Sequence, residues 1–218
     1  MREVGNGFVR LVDSLGNDMS VVKAARVSYG NESKGLEADT KLINYMMKHK
    51  HGTPFEHINF TFHIKCPIFI ARQWFRHRIG SFNEISGRYV KLDTLCWTPT
   101  NWRKNLNLRN KQDSVIGEWD ENELEDIESS FQNALNVVLT TYEHLLEKGV
   151  AREQARAILP VGTYTEFYWT VNARSLFNFL ELRTHHTAQK EMQEYAEAIH
   201  SLSQPIAPIS FSAWEKNR

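Results

Sequence analysis

The stretch that decides the fold is "EHINFTFHIKCPIFIARQWFRHR", residues 56 to 78. In its first half Ile58, Phe60, Phe62, Ile64 and Cys66 alternate with His57, Asn59, Thr61, His63 and Lys65. A period of two sends the two sets to opposite faces of an extended chain, which predicts a strand with one buried face. Pro67 then stands where a helix would start, at a position that does not need its missing N–H. "IFIARQWFRHR" is predicted as that helix, running into a loop "IGSFNE".

Toward the N-terminus, "GFVRLVDSLGND" reads as a strand ending in a turn at Gly16, Asn17 and Asp18. Asp18 is placed to cap a helix through "MSVVKAARVS". "NESKG" is a loop, and the next segment puts Leu42, Ile43, Met46 and Met47 at helical spacing, the methionines as packing. Toward the C-terminus, residues 93–119 mix Trp, Asn, Lys and Asp without a period and read as a variable excursion. From Asp120 a long helix is predicted, with Leu124, Ile127, Phe131, Ala134, Val138, Tyr142 and Leu145 three and four apart and Gly149 as its stop. "REQARAILP" is a short helix closed by Pro160, and "TYTEFYWTV" alternates as a strand. Asn172 caps "ARSLFNFLELR", and "TAQKEMQEYAEAIHSL" is the last long helix. Strands and helices mix without regular alternation. The expected class is therefore α+β: a single domain over 1–218, with a small antiparallel-type sheet flanked by long helices. At 218 residues and 25.4 kDa the chain can bury a real core.

Lys and Arg number 26 and Asp and Glu 26, so the formal charge is zero and the sequence pI about 7.1. Against that neutral background, "RQWFRHRIGSFNEISGRY" (72–89) concentrates Arg72, Arg76, Arg78 and Arg88. A solvated face, a nucleic-acid patch or a grip on several phosphates could each look like this. A protein that tracks nucleic acid usually carries a broader positive field, which weighs against the second. Cations near a helix C-terminus complement its dipole, which accounts for part of the cluster. Guanidinium forks suit phosphates. Ser81, Ser86 and the N–H groups around Gly80 and Gly87 could add short contacts, and Trp74, Phe75 and Phe82 offer planar surfaces for a base. A nucleotide fits this set better than a bare anion.

Ser86 lacks the turn of a nucleophilic serine and reads as a phosphate-binding hydroxyl. Cys66 lies on the apolar strand face and Cys96 in the excursion, and neither looks like an activated thiolate. His49, His51 and His57, with Glu56, and the pair His185–His186 lack the spacing of metal ligands, so no metal site is expected. His51, ahead of a Gly-Thr-Pro turn, is placed to meet a ligand from a loop. No run approaches a membrane span, no apolar leader opens the chain, and two cysteines make no disulfide framework. A cytoplasmic protein is expected.

"RHRIGSFNEIS" resembles the signature of the flavin-dependent thymidylate synthases: Arg76-His77-Arg78, seven residues, then Ser86. "NEISGRY" after it, "TPFEHINFTFHIKCPIFIARQWF" before it and "TVNARSLFNFLELR" further on extend the likeness over about residues 8 to 200. The resemblance implies an enzyme making dTMP from dUMP with 5,10-methylenetetrahydrofolate as one-carbon donor and NADPH supplying electrons through bound FAD. It also implies a homotetramer with shared active sites. By resemblance, Arg76, His77, Arg78, Glu84, Thr53, Asn172, Arg174 and Asn178 contact FAD, and His51 and Ser28 lie near the flavin and its phosphates. Gln73, Trp74, Phe75 and Arg76, then Glu84, Ile85, Ser86, Gly87 and Arg88, with Arg156 and Arg183, match the dUMP site. Arg76 belongs to both sites. Arg183 matches the arginine that favours anionic character in the pyrimidine, and no cysteine nucleophile is required. After Arg183 the chain runs "THHTAQ", and Thr187, a sound N-cap, stands where relatives often carry histidine. The rival readings are a nucleic-acid-binding module and an FAD-binding NADPH oxidase without methyl transfer.

Overall fold

The computed structural model describes residues 1–30, 32–105 and 114–218. Their elements run β1 (Arg2–Val4), β2 (Gly7–Leu15), α1 (Asp18–Ala25), α2 (Leu36–Lys48), β3 (Asn59–Pro67), α3 (Ile68–Trp74), β4 (Ser81–Glu84), β5 (Arg103–Asn105) and β6 (Ser114–Ile116). They continue with α4 (Glu121–Glu147), α5 (Arg152–Ala155), β7 (Tyr164–Asn172), α6 (Ala173–Arg183), α7 (Lys190–Ser203) and α8 (Pro208–Asn217). This is the α+β mixture expected. It divides into two compact units, one of Met1–Lys65, Gln73–Asn83 and Glu166–Arg218, the other of Cys66–Arg72 and Glu84–Thr165.

The first unit holds most of a five-stranded sheet of order β1-β2-β3-β7-β4. The alternation in β3 is realised: Phe60, Phe62, Ile64 and Cys66 are wholly buried, with polar residues between them. β2 pairs antiparallel with β3, Val9 facing Ile64, and a bulge between Leu11 and Asp13 shifts the register. Across to β7, Thr61 meets Thr170 and His63 meets both Tyr168 and Glu166, so partner numbers run in opposite directions and this pair too is antiparallel. The inner face carries an aromatic core. Trp169 packs against Phe62, Trp74, Phe82 and Phe179 with ring centroids 5.0 to 6.0 Å apart. Phe177 bridges to Phe211 and Trp214 of α8.

Three of these readings differ from the sequence expectation. Asn17, one residue earlier than expected, caps α1: its side chain accepts from Met19 N while Ser20 Oγ accepts from Asn17 N. Asp18 is thereby released for another helix. Its buried carboxylate accepts from Ile209 N at 2.9 Å, Ser210 N at 2.8 Å and Ser210 Oγ at 2.6 Å, which caps α8. Asp18→Ala is expected to cost about 1–3 kcal/mol, the penalty for stranding buried donors, read as a lower urea midpoint with unchanged m. α3 stops at Trp74, four residues before the expected end, where His77 N bonds to Trp74 O and closes a turn. "SFNE" is then strand β4, not loop, because Gly80 lets the backbone lie against β7: a Cβ there would sit 2.7 Å from Trp169 Nε1. β1 and α8 carried no strong periodic signal and were not foreseen.

In the second unit α4 starts at Asp120 as expected, and with a reciprocal cap: the Asp120 side chain takes Glu123 N while Glu123 reaches back to Asp120 N. It ends at Gly149, at φ 81°, a conformation in which glycine pays no steric cost. Within the excursion, β5 and β6 form an antiparallel pair, Lys104 opposite Val115, where no regular structure was expected. Its remaining part, 106–113, lies outside the described residues, as does Asn31 of the "NESKG" loop. Trp97 N bonds to Gly162 O and Ile68 N to Thr163 O, tying the excursion's first residues and the start of α3 to the lead-in of β7. Among the described residues no helix is long and apolar enough to cross a membrane.

Candidate functional site

In the first unit the residues around Arg76-His77-Arg78 are set by what is buried beside them. Trp74 is wholly buried among Phe167, Trp169, Phe179 and Tyr195, which anchors the segment and leaves only its backbone for a ligand. Phe75 turns edge-on to Phe82 and Phe167. Arg76 and Arg78 point to solvent and have no ion-pair partner among the described residues.

Between them His77 faces α6. Arg183 Nε donates to His77 Nε2 at 2.9 Å, and Arg183 Nη2 donates to the Gln73 carbonyl at 3.2 Å. Gln73 Nε2 donates to Gln189 Oε1 at 2.6 Å, and Gln189 Nε2 to Glu191 Oε2 at 2.9 Å. Burial first, and the Arg183 charge second, push His77 down from 6.5 to about 4. The ring is therefore neutral at physiological pH. An unfolded chain would bind its proton near 6.5, so this group draws stability away as pH falls from about 6.5 toward 4. Burial also lowers Arg183, but a guanidinium keeps its charge.

The other expected flavin contacts in this unit lie on three segments. Ser28 sits exposed in the 3₁₀ turn Val27–Tyr29. Buried Arg26 steadies that turn, pairing with Asp39 and donating to the Glu32 carbonyl at 2.8 Å. His51 and Thr53 flank Gly52, against which the Arg174 guanidinium lies closely enough that a Cβ would meet its Nε at 2.6 Å. Arg174 also pairs with Glu56 at 2.6 Å. Asn172 caps α6 by accepting from Ser175 N, so its oxygen is committed to the helix, and Asn178 is exposed one turn further along.

In the second unit the segment 84–88 is built around a turn. Ser86 Oγ accepts from Arg88 N at 3.3 Å, and its carbonyl takes both Tyr89 N and Val90 N, which leaves the hydroxyl proton free to donate. Gly87 is buried against Leu92 and the Arg156 stem, and the Arg156 guanidinium has no protein partner among the described residues. Arg88 pairs with Glu153 at 3.0 Å, both well exposed. Thr165 Oγ1 donates to Glu84 Oε1 at 2.7 Å, while Ile85 is 44% exposed. Burial raises the Cys66 and Cys96 thiols, so neither is held as a thiolate. Thr187 caps nothing. Its hydroxyl bonds to His185 Nδ1 at 2.8 Å, and α7 begins after Gln189.

Glu56, Thr165 and Gln189 hold expected site residues, yet Glu56 was weighed from sequence only as a metal ligand and the other two were not singled out. They lie 118, 81 and 116 positions from Arg174, Glu84 and Gln73, and no local spacing marks them. Gln73, His77 and Arg183 are brought together in the first unit, and Ser86, Gly87 and Arg156 in the second.

Known proteins resemble this chain in sequence and fold. The family model described as thymidylate synthase complementing protein matches residues 10–209. A flavin-dependent thymidylate synthase of Thermosipho africanus is 53% identical over 215 residues, covering 96% of this chain and 91% of its own. That of Thermotoga neapolitana is 49% identical over 210 residues, with 96% and 91% covered. Among solved structures, a UMP/dUMP methylase from Streptomyces cacaoi bound with 5-Br dUMP superposes with TM-score 0.87 at 34% identity, covering 99% of this chain and 97% of that one. The chain belongs to the flavin-dependent thymidylate synthase family.

Proposed function

We propose that this enzyme makes dTMP by reductive methylation of dUMP, taking the carbon from 5,10-methylenetetrahydrofolate and electrons from NADPH, with FAD as cofactor. The observation that supports it most is the guanidinium of Arg183, half-buried and held by two neutral acceptors, on a chain whose relatives are flavin-dependent thymidylate synthases. Carbon 5 of a uracil is a weak nucleophile and gains electron density as the ring acquires anionic character. A fixed cation beside the ring stabilises that charge most where water is scarce. Arg183 cannot act as a base, so its part is electrostatic.

The first unit fits an anionic, two-phosphate cofactor: Arg76 and Arg78 are exposed and unpaired among the described residues, and Arg174 lies over Gly52 beside His51 and Thr53. Those residues, with Ser28, His77, Glu84, Asn172 and Asn178, are proposed to hold FAD. When bound, FAD supplies the redox chemistry that turns a transferred methylene into a methyl. Ser86, Gly87 and Arg156 suit a nucleotide phosphate: a hydroxyl proton free to donate, a buried backbone and a guanidinium unpaired among the described residues. With Gln73, Trp74, Phe75, Arg76, Glu84, Ile85, Arg88 and Arg183 they are proposed to form the dUMP site. The family match runs through both units, which supports reading 1–218 as one functional domain. Assembly as a homotetramer with shared sites, in the cytoplasm, completes the proposal.

The test is dTMP formation by purified protein given dUMP, methylenetetrahydrofolate and NADPH, with and without added FAD. Product that requires flavin is expected. NADPH consumed with flavin bound and no product would replace this reading with an oxidase, and salt-sensitive nucleic-acid binding without flavin would replace it with a binding module.

A further inference from the structure

A guanidinium has two edges that can each grip a partner with parallel N–H groups. On Arg183 the Nε/Nη2 edge is occupied, by His77 Nε2 at 2.9 Å and the Gln73 carbonyl at 3.2 Å, while Nη1 has no protein partner among the described residues. An imidazole that accepts at Nε2 carries its single proton on Nδ1 and is neutral. We propose that neutral His77 is a positioning residue for the methylation, locking the inner edge of Arg183 so that the Nη1/Nη2 edge is fixed for the pyrimidine. The proposal rests on the reading of Arg183 given above.

The choice of acceptor matters. A carboxylate in the place of His77 would hold Arg183 equally well but cancel its charge. An imidazole and a peptide carbonyl hold the same edge and leave the whole positive charge for the developing anion. The charged groups around the ring are Arg183 on α6 and the chain neighbours Arg76 and Arg78; Phe179 packs edge-on at 4.9 Å, and no carboxylate is bonded to the ring among the described residues. Nothing nearby favours the imidazolium. Protonation would remove the lone pair that Arg183 Nε uses and set two cations in contact. The Nδ1–H remains available to another acceptor, so a flavin contact by the same ring is compatible.

The test compares His77→Phe, His77→Gln and His77→Glu as flavin-loaded enzymes, with rates expressed per bound flavin. Phe keeps a ring against Phe179 without an acceptor, Gln restores a neutral acceptor, and Glu supplies a charged one. His77→Phe is expected to lower kcat about 10²-fold with little change in KM for dUMP, as misplacement of a group aligned with the reacting ring does. Gln should recover most of the loss and Glu should not. A second readout needs no turnover: nitrogen NMR of the imidazoles in the wild-type holoenzyme should show His77 protonated at Nδ1 and bare at Nε2 between pH 8 and about 5. An Nε2–H tautomer, an imidazolium at neutral pH, or full kcat in His77→Phe would overturn the proposal, and the NMR arm stands if that variant does not fold. Arg183→Ala separates the two layers. If it is inactive while His77→Phe is fully active, only the positioning role is lost; if it turns over normally, the reading of Arg183 falls and takes the proposal with it.

Discussion

Arg183→Ala is expected to cut dTMP formation by about 10²–10³-fold while leaving flavin bound, the range seen when one donor aimed at a developing anion is removed. The size follows from what the side chain does in the free protein. Its two bonds go to His77 and to the Gln73 carbonyl, so its geometry is set before substrate arrives and little reorganisation remains for the reaction. Arg183→Lys should rescue poorly, since an ammonium cannot grip two acceptors side by side and still present a second edge. The loss should fall on kcat more than on KM, because the charge being stabilised develops as the reaction proceeds. Wild-type turnover in Arg183→Ala, measured as dTMP per bound flavin, would remove this arginine from the chemistry.

Trp169→Ala is expected to destabilise the first unit by about 3–5 kcal/mol, the cost of a large cavity in a core that relaxes only in part. Trp169 has no exposed surface, and its ring contacts Phe62, Trp74, Phe82 and Phe179. These come from β3, α3, β4 and α6, so one indole joins four elements around Trp74, the neighbour of Gln73. The accompanying prediction is functional: a variant that folds at low temperature should lose activity below its melting point, as Gln73 no longer holds Arg183 in place. Urea unfolding followed by fluorescence measures the first, and a loss below about 1 kcal/mol would show that the cluster is not the core it is taken for.

Much of this was legible in the sequence because its signals are local. The period-two run 58–66, the apolar spacing of the long helix from Asp120, Gly149 as a stop and Asn172 before α6 each depend on neighbours within one or two turns. The misplaced boundaries depended on distant groups. Asn17 and Asp18 are both good caps, and the choice between them is settled by Ser210, far along the chain. β4 could be read as a strand only by knowing that Trp169 lies beside Gly80. The site divides the same way: the motif residues announce themselves by spacing and by resemblance, while Gln189 holding Gln73 and Thr165 holding Glu84 do not.

The bond from Asp18 to Ser210 joins residues 192 positions apart, and it bears on how the chain can be made. The first unit draws on residues 1–65 and again on 166–218, whereas the second is nearly continuous from 84 to 165. During synthesis the early strands β1, β2 and β3 therefore leave the ribosome without β7, α6, α7 or α8 to cover them. Their apolar face, from Val9 through Phe60, Phe62 and Ile64, must wait through most of translation. The second unit can take shape in that interval, while the first can close only late, through contacts whose loop-closing entropy is among the largest this chain offers. A nascent chain arrested before residue 208 would have the strands but not the helix that Asp18 caps, and should be caught by chaperones or proteases where the finished protein is not.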